Sequence, residues 1–218
     1  MEPNINTSKV KNIKTILRLF PYLENKELSG KLLIDDESIH YISVREYAEK
    51  ISNIIKTHME QLDIDDIIVS DATAGVGGDT ISFAKNFYHV YSIEIDKTRV
   101  EYLKNNITVY NCDNVTVYND SCLNVIQTIE DHNVIFVDPP WGGIDYKKYV
   151  DLRLFLDIEP IENLCLKWMD QSYMKHVPRL IVFKLPKNYD IAYFYKTMKD
   201  KKLYYYDLKK MIILVIVV

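Results

Sequence analysis

The residues best suited to chemistry stand in one stretch, Asp138-Pro139-Pro140-Trp141-Gly142-Gly143-Ile144-Asp145-Tyr146. It follows an apolar run at 134–137, which predicts a buried strand. Two consecutive prolines cannot donate to a strand ladder, so the chain leaves the sheet at Asp138. A carboxylate, two backbone carbonyls and an indole then lie at the carboxyl end of a strand, where open α/β sheets bind ligands. A flat ring with an exocyclic amine suits such a site. Its N–H groups can go to the Asp138 carboxylate and the Pro139 carbonyl, with Trp141 stacked on the ring. The plainer alternative is a strand exit with a core tryptophan, and the upstream residues argue against it.

Upstream, Asp71-Ala72-Thr73-Ala74-Gly75-Val76-Gly77-Gly78-Asp79 joins a predicted strand at 67–69 to a predicted helix at 80–87. Gly75 and Gly77 let the backbone turn sharply, and the following helix N-terminus offers unpaired N–H groups to a carboxylate or phosphate. Asp71, Thr73, Gly75 and Gly77 are therefore candidate cofactor contacts. The spacing is G-x-G-G, not the G-x-G-x-x-G of dinucleotide sites. Glu94 ends the next predicted strand, about 20 residues beyond the glycines, where an acidic side chain can hold two ribose hydroxyls; Asp96 is the second choice. Asp120, just past the third strand, can accept from an adenine amino group. These groups and Asp138 fall at the ends of strands one to four in order. They describe a nucleoside cofactor with a negatively charged tail beside an amine acceptor. S-adenosylmethionine suits the set better than NAD, because the glycine spacing is wrong for a pyrophosphate.

The scaffold that must position them is an alternation of strand and helix from Asp63 onward. Strands are predicted at 67–69, 89–95, 115–118, 133–137 and 179–183. Helices are predicted at 80–87, 97–110, 122–129, 158–174 and 189–198, and two closing strands at 203–207 and 211–218. Repeated βα units predict a parallel sheet with helices on both faces, and the closing pair an antiparallel hairpin. Before them, 8–22 carries Val10, Ile13, Ile16, Leu17 and Phe20 at helical spacing, with Ser8 as N-cap. A second helix opens at Ser43, with Glu46 completing a capping box. The expected division is a helical extension over 1–60, covering the active site, and a catalytic domain over 61–218. Trp168 reads as core, and the five histidines as structural or surface residues.

Composition narrows the class. The 218 residues suffice for one α/β domain. A net charge of −4 argues against a general phosphate-backbone binder, so nucleic acid must be recognised locally, beside a few lysines. No apolar run approaches the roughly 20 residues of a membrane span, and 1–14 lacks the apolar stretch of a signal peptide. Cys112, Cys122 and Cys165 stand in no metal-ligand spacing. They predict an intracellular setting, cytoplasm or nucleus, with no metal and no structural disulfide. Asn, Ile, Lys and Tyr are abundant, as an A+T-rich viral or parasite genome would encode.

The segments from Asp71 to Ala84, Ile93-Glu94-Ile95-Asp96 and Asp138 to Tyr146 together resemble the trimethylguanosine synthases. These are RNA cap hypermethylases that methylate the N2 amine of a 7-methylguanosine cap. The resemblance runs from Lys11 to the C-terminus, although the Asp-Pro-Pro-aromatic motif is shared more widely by amino-methyltransferases of adenine and guanine. It implies an α/β class I methyltransferase fold, Rossmann-like, with a mostly parallel sheet, a C-terminal antiparallel hairpin and a small helical N-terminal extension. It implies S-adenosylmethionine as cofactor, contacted by Phe20, Asp71, Thr73, Gly75, Gly77, Glu94, Asp120 and Asp138. Trp141 would stack on the base, and Asp138 and Pro139 would orient its amine. Ser43 matches a serine beside the active site. Lys11 and Lys187 match basic positions near the cap phosphates. Asp138 stands where the family has serine, and Lys187 where it has arginine, which weakens bidentate phosphate recognition. The expected partner is a 7-methylguanosine-capped RNA, with no membrane, and the protein a monomer.

The physics agrees. A 7-methylated guanine is cationic, and a Trp face attracts a cation with about 0.5–2 kcal/mol. Methyl transfer is an in-line displacement that needs alignment more than a strong base. Two rivals remain: an adenine-N6 methyltransferase, which Asp138 favours, and a catalytically silent cap-binding module, which the intact cofactor set disfavours.

Overall fold

The computed structural model describes residues 13–199 and 201–218. It opens with α1 (Ile13–Leu19), a short α2 (Ser38–Tyr41) and the longer α3 (Arg45–Glu60). On α3, Ala48, Ile51, Ile55 and Met59 recur every three or four positions and are fully buried. One stripe of the helix therefore faces the core. The capping box expected at Ser43 does not form. Val44, in extended backbone, is the N-cap residue. Ser43 Oγ donates instead to Asp79 at 2.6 Å, and Glu46 pairs with Lys50 one turn on. The expected cap Ser8, like Lys11, lies outside the described residues.

Strand and helix then alternate through β1 (Ile68–Asp71), α4 (Gly78–Asn86), β2 (His89–Ile93), α5 (Lys97–Val109), β3 (Val115–Tyr118), α6 (Cys122–Val125) and β4 (Val134–Val137). After the Asp138 loop come β5 (Phe155–Leu156), β6 (Glu159–Pro160), α7 (Ile161–Trp168), β7 (Leu180–Pro186), α8 (Ile191–Met198), β8 (Lys202–Asp207) and β9 (Met211–Val217). The main sheet has seven strands in the order β3-β2-β1-β4-β7-β9-β8. Neighbours from β3 to β7 run parallel, and β9 is antiparallel to both β7 and β8. This is the class I methyltransferase architecture. Inserted between two strands, β9 buries both faces, which is why Met211–Val217 is unbroken apolar sequence. No described helix is long and apolar enough to cross a membrane.

Two expected helices differ. Over 158–174, the β5–β6 hairpin precedes a helix confined to Ile161–Trp168. Pro160 explains the late start, since proline suits the residue leading into a helix and not its interior. Over 122–129, α6 gives way after one turn to a 3-10 turn at Ile126–Thr128. Trp168 is core, as expected.

Side chains along a strand alternate between faces. Ile135, Val137, Ile181, Phe183 and Leu185 join the apolar cluster that includes α7 and α8 residues. Val69, Val134, Phe136 and Val182 join the other cluster, with Ile51, Ile55 and Phe83 of α3 and α4. By the same alternation Asp71, Asp138 and Lys184 turn toward the face that α4 covers. β1 pairs with β2 on one side and β4 on the other. The chain order reverses there, and the carboxyl ends of β1 and β4 flank a crevice.

Candidate active site

β1 ends in Asp71, which is buried. Thr80, on the first turn of α4, donates its hydroxyl to Asp71 Oδ2 at 2.6 Å. Burial, then the charge of Asp79, pushes the Asp71 carboxyl up to about 8. Between Asp71 and α4 the chain passes Gly75 at φ +55° and Gly77 at φ +99°. Glycine alone takes such values freely, and at Gly77 a Cβ would also stand 2.8 Å from Leu103 Cδ1. The turn brings the Gly75 N–H to Glu94 Oε2 at 2.8 Å, while the Asp96 N–H donates to Oε1 at 2.8 Å. Glu94 is thus fixed through both oxygens, each with a lone pair left for a ligand.

Asp96, the second choice for the ribose, caps α5 by accepting from the Arg99 N–H at 2.9 Å. Asp120 is exposed and accepts from the Asn124 side chain at 3.0 Å and the Ser121 N–H at 2.6 Å. The Asn124 hydrogen bond chiefly holds its carboxyl below the usual range. Phe20 is fully buried, in the apolar cluster that includes Ala74 and Val76 of the glycine turn.

The acceptor side is built around a pair that sequence reasoning missed. Lys184 Nζ lies 2.5 Å from Asp138 Oδ2, with the two side chains 3% and 20% exposed. Register explains the pair. Val137 is opposite Phe183, so the next residues stand side by side as β4 breaks off at the prolines and β7 runs on. Burial raises the Asp138 carboxyl to about 6 against the pull of Lys184. For Lys184 burial acts downward, but the Asp138 charge and the other carboxylates leave it raised. Breaking such a buried pair typically costs about 3–5 kcal/mol. The one sequence signal was a lysine amid the otherwise apolar β7, all of whose residues are buried.

Asp79 completes the cluster. Its Oδ2 accepts from Ser43, and its buried Oδ1 has no partner. Burial raises its carboxyl. Ser43, an expected substrate contact, is itself buried with its hydroxyl on Asp79.

Trp141 is half-buried and donates its indole N–H to the Lys184 carbonyl at 3.4 Å. Tyr146 meets it edge-on, with ring centroids 5.2 Å apart at 72°. Pro139, next to Asp138 in the chain, is buried. The Asn188 amide donates to the carbonyls of Tyr146 and Tyr149, each at 2.8 Å, and so anchors the loop. Lys187, exposed, is ion-paired with Asp207. Among the described residues no His, Cys, Asp and Glu group could hold a metal. The structure therefore gathers Asp71, Thr73, Gly75, Gly77 and Glu94 at one turn and Asp138, Pro139 and Trp141 at its rim.

Residues 66–213 match the family described as RNA cap guanine-N2 methyltransferase. The chain is similar to the uncharacterized protein L320 of Acanthamoeba polyphaga mimivirus, 36% identical over 95% of this chain and 88% of that one. It is also similar to the trimethylguanosine synthase of Schizosaccharomyces pombe, 35% identical over 36% of this chain. With that of Saccharomyces cerevisiae it is 24% identical over 80% of this chain. It spans 35% and 56% of the length of those two yeast proteins. Among solved structures, precorrin-6y C5,15-methyltransferase of Geobacter metallireducens superposes at a TM-score of 0.53 and 11% identity, over 80% of this chain and 88% of that one. That likeness is one of fold.

Proposed function

This chain belongs to the RNA cap guanine-N2 methyltransferase family, and we propose that it transfers methyl from S-adenosylmethionine to the exocyclic N2 amine of a 7-methylguanosine RNA cap. The observation that carries the reading is the meeting of Asp138 and Trp141 with the glycine turn at one sheet edge. The first residue supplies an amine acceptor, the second a stacking ring, the turn a seat for a cofactor.

The residues fit S-adenosylmethionine. Asp79 Oδ1, buried without a partner, suits the cofactor's cationic amino group. A donor there removes a cost of about 1–3 kcal/mol. Glu94 would hold the ribose hydroxyls, Asp120 the adenine amine, and the N-terminus of α4 the carboxylate. Phe20 would back the turn from below. When bound, the cofactor supplies an electrophilic methyl group.

The chain's own part is to hold the base. Asp138 and the Pro139 carbonyl accept the two amine N–H groups, which turns the lone pair toward the cofactor. Asp138 also stands ready for the departing proton. Trp141 stacks on the cationic base, braced by Tyr146, and the attraction of about 0.5–2 kcal/mol is lost with unmethylated guanine. Lys187, exchanging Asp207 for phosphate, and Lys11 would meet the cap phosphates, while Ser43 would hold Asp79 toward the cofactor. The helices before residue 61 would form the cover. A groove of about 380 Å³ is lined by Lys14, Leu17, Arg18, Tyr22, Leu23, Lys26 and Arg45, and its four basic side chains would suit the RNA beyond the cap.

The test is methyl transfer from labelled S-adenosylmethionine to 7-methyl-GTP, GTP and an adenine-containing oligonucleotide, with product masses. Transfer confined to the 7-methylated guanine, and reduced about tenfold or more in Trp141→Ala, is expected. Transfer to adenine would overturn the reading in favour of the alternative that Asp138 suggests.

A further inference from the structure

We propose that Lys184 is a positioning residue for this reaction: it keeps Asp138 an ionised acceptor, engages one of its oxygens, and sets the tilt of Trp141. The inference rests on the cap reading for the identity of the amine. It rests on geometry for the rest.

One residue touches both groups that handle the base. The Lys184 ammonium is 2.5 Å from Asp138 Oδ2 and 5.7 Å from the centre of the Trp141 ring. Its backbone carbonyl accepts the indole N–H at 3.4 Å. With Oδ2 occupied, Oδ1 is left for the target amine. The carbonyl restrains rotation of the indole, and β7 fixes that carbonyl because Lys184 is in register with Ile213 of β9.

An ammonium inside an apolar strand is unfavourable unless paired. If neutrality were the whole requirement, two aliphatic residues would meet it at least as well. What the pair adds is a carboxylate that remains charged in a buried place. Three carboxyl groups act on Lys184: Asp71 from β1, Asp79 from α4, and Asp138 itself. Lys184 is the cation that offsets them. Without it, burial and the Asp79 charge both act to protonate Asp138, opposed by the weaker pull of the Trp141 indole N–H. A protonated Asp138 would keep only a weaker neutral acceptor and would present a donor to an amine that is also a donor, so the amine would be held less well.

The experiment compares the wild type with Lys184→Met and with the double variant Asp138→Asn/Lys184→Met. The double variant removes the charges of Asp138 and Lys184 together and offers a neutral carbonyl acceptor, so it serves if the single variant folds poorly. The first readout needs no ligand: carboxyl ¹³C NMR of aspartate-labelled protein. The Asp138 midpoint is expected at about 6 in the wild type and at least about one unit higher in Lys184→Met. An unmoved midpoint would overturn the proposal whatever base the enzyme prefers.

The second readout is 7-methyl-GTP binding by tryptophan quenching, without cofactor, across pH. Relative to wild type, Lys184→Met should bind about tenfold or more weakly at neutral pH and recover as pH rises. The double variant should show a ratio that does not vary with pH. Identical pH profiles in the wild type and Lys184→Met, or a double variant whose ratio follows pH as that of the single variant does, would also overturn it. A wild type that fails to bind 7-methyl-GTP while the midpoint still moves would count against the cap reading alone.

Discussion

Thr73 and Asp138 are joined by a hydrogen bond: the Asp138 backbone N–H donates to Thr73 Oγ1 at 2.8 Å. The bond runs from the exit of β1 to the exit of β4, so the cofactor turn and the acceptor loop share a fixed spacing. Thr73→Val keeps the shape and removes the acceptor, leaving a partly buried amide unsatisfied at about 1–3 kcal/mol. A lower melting temperature is expected, with turnover falling more than the Michaelis constant changes. Thr73→Ser should restore both. Equal losses in the two variants would argue for packing rather than the hydrogen bond.

Asp71 gives a pH signature. Burial first, then Asp79, raises its carboxyl to about 8 from the ordinary 3.8. Between those values the folded chain holds a proton that the unfolded chain has lost, so stability falls as pH rises through the window. Its contribution is full below about 3.8 and gone above about 8. Melting curves from pH 5 to 8 should decline in the wild type and be flatter in Asp71→Asn. Parallel curves would remove Asp71 as the cause.

Glu94→Ala should weaken cofactor binding more than cap-analogue binding. The change removes the ribose acceptor and frees the Gly75 and Asp96 amides that Glu94 now holds. Calorimetry is expected to show at least about a tenfold loss for S-adenosylmethionine, equivalent to about 1.4 kcal/mol. A loss of the same size for 7-methyl-GTP would mean that the turn had collapsed instead.

The basic groove predicts a dependence on RNA length. Arg18→Glu/Lys26→Glu reverses two charges that line it, and neither Asp138 nor Lys184 is among its lining residues. Methylation of 7-methyl-GTP should be unchanged, while the Michaelis constant for a capped oligonucleotide rises and its salt dependence shrinks. If short and long substrates respond alike, the RNA does not run there.

Much of this site was legible because its parts are local. A strand that meets two prolines must stop, and a G-x-G-G turn after a strand must approach something closely, so Asp138 and Gly75 could be placed from sequence. What escaped depends on register. Lys184 is 46 positions from Asp138, and only the pairing of β4 with β7 shows that they touch. Ser43 looked like a helix cap because its neighbours fit that pattern, yet Asp79, 36 positions on, takes its hydroxyl. The β5–β6 hairpin was hidden because its strands are two residues each, too short for any periodicity.

Asn188 ties the aromatic loop to the turn after β7, next to Lys187 and four residues beyond Lys184. Its amide grips the loop at two carbonyls, and its own carbonyl accepts from the Leu152 N–H at 2.8 Å. The loop that follows Trp141 and the turn that bears Lys187 therefore share one anchor. Whatever displaces the loop at Tyr146 and Tyr149 must therefore also act on the turn that bears Lys187.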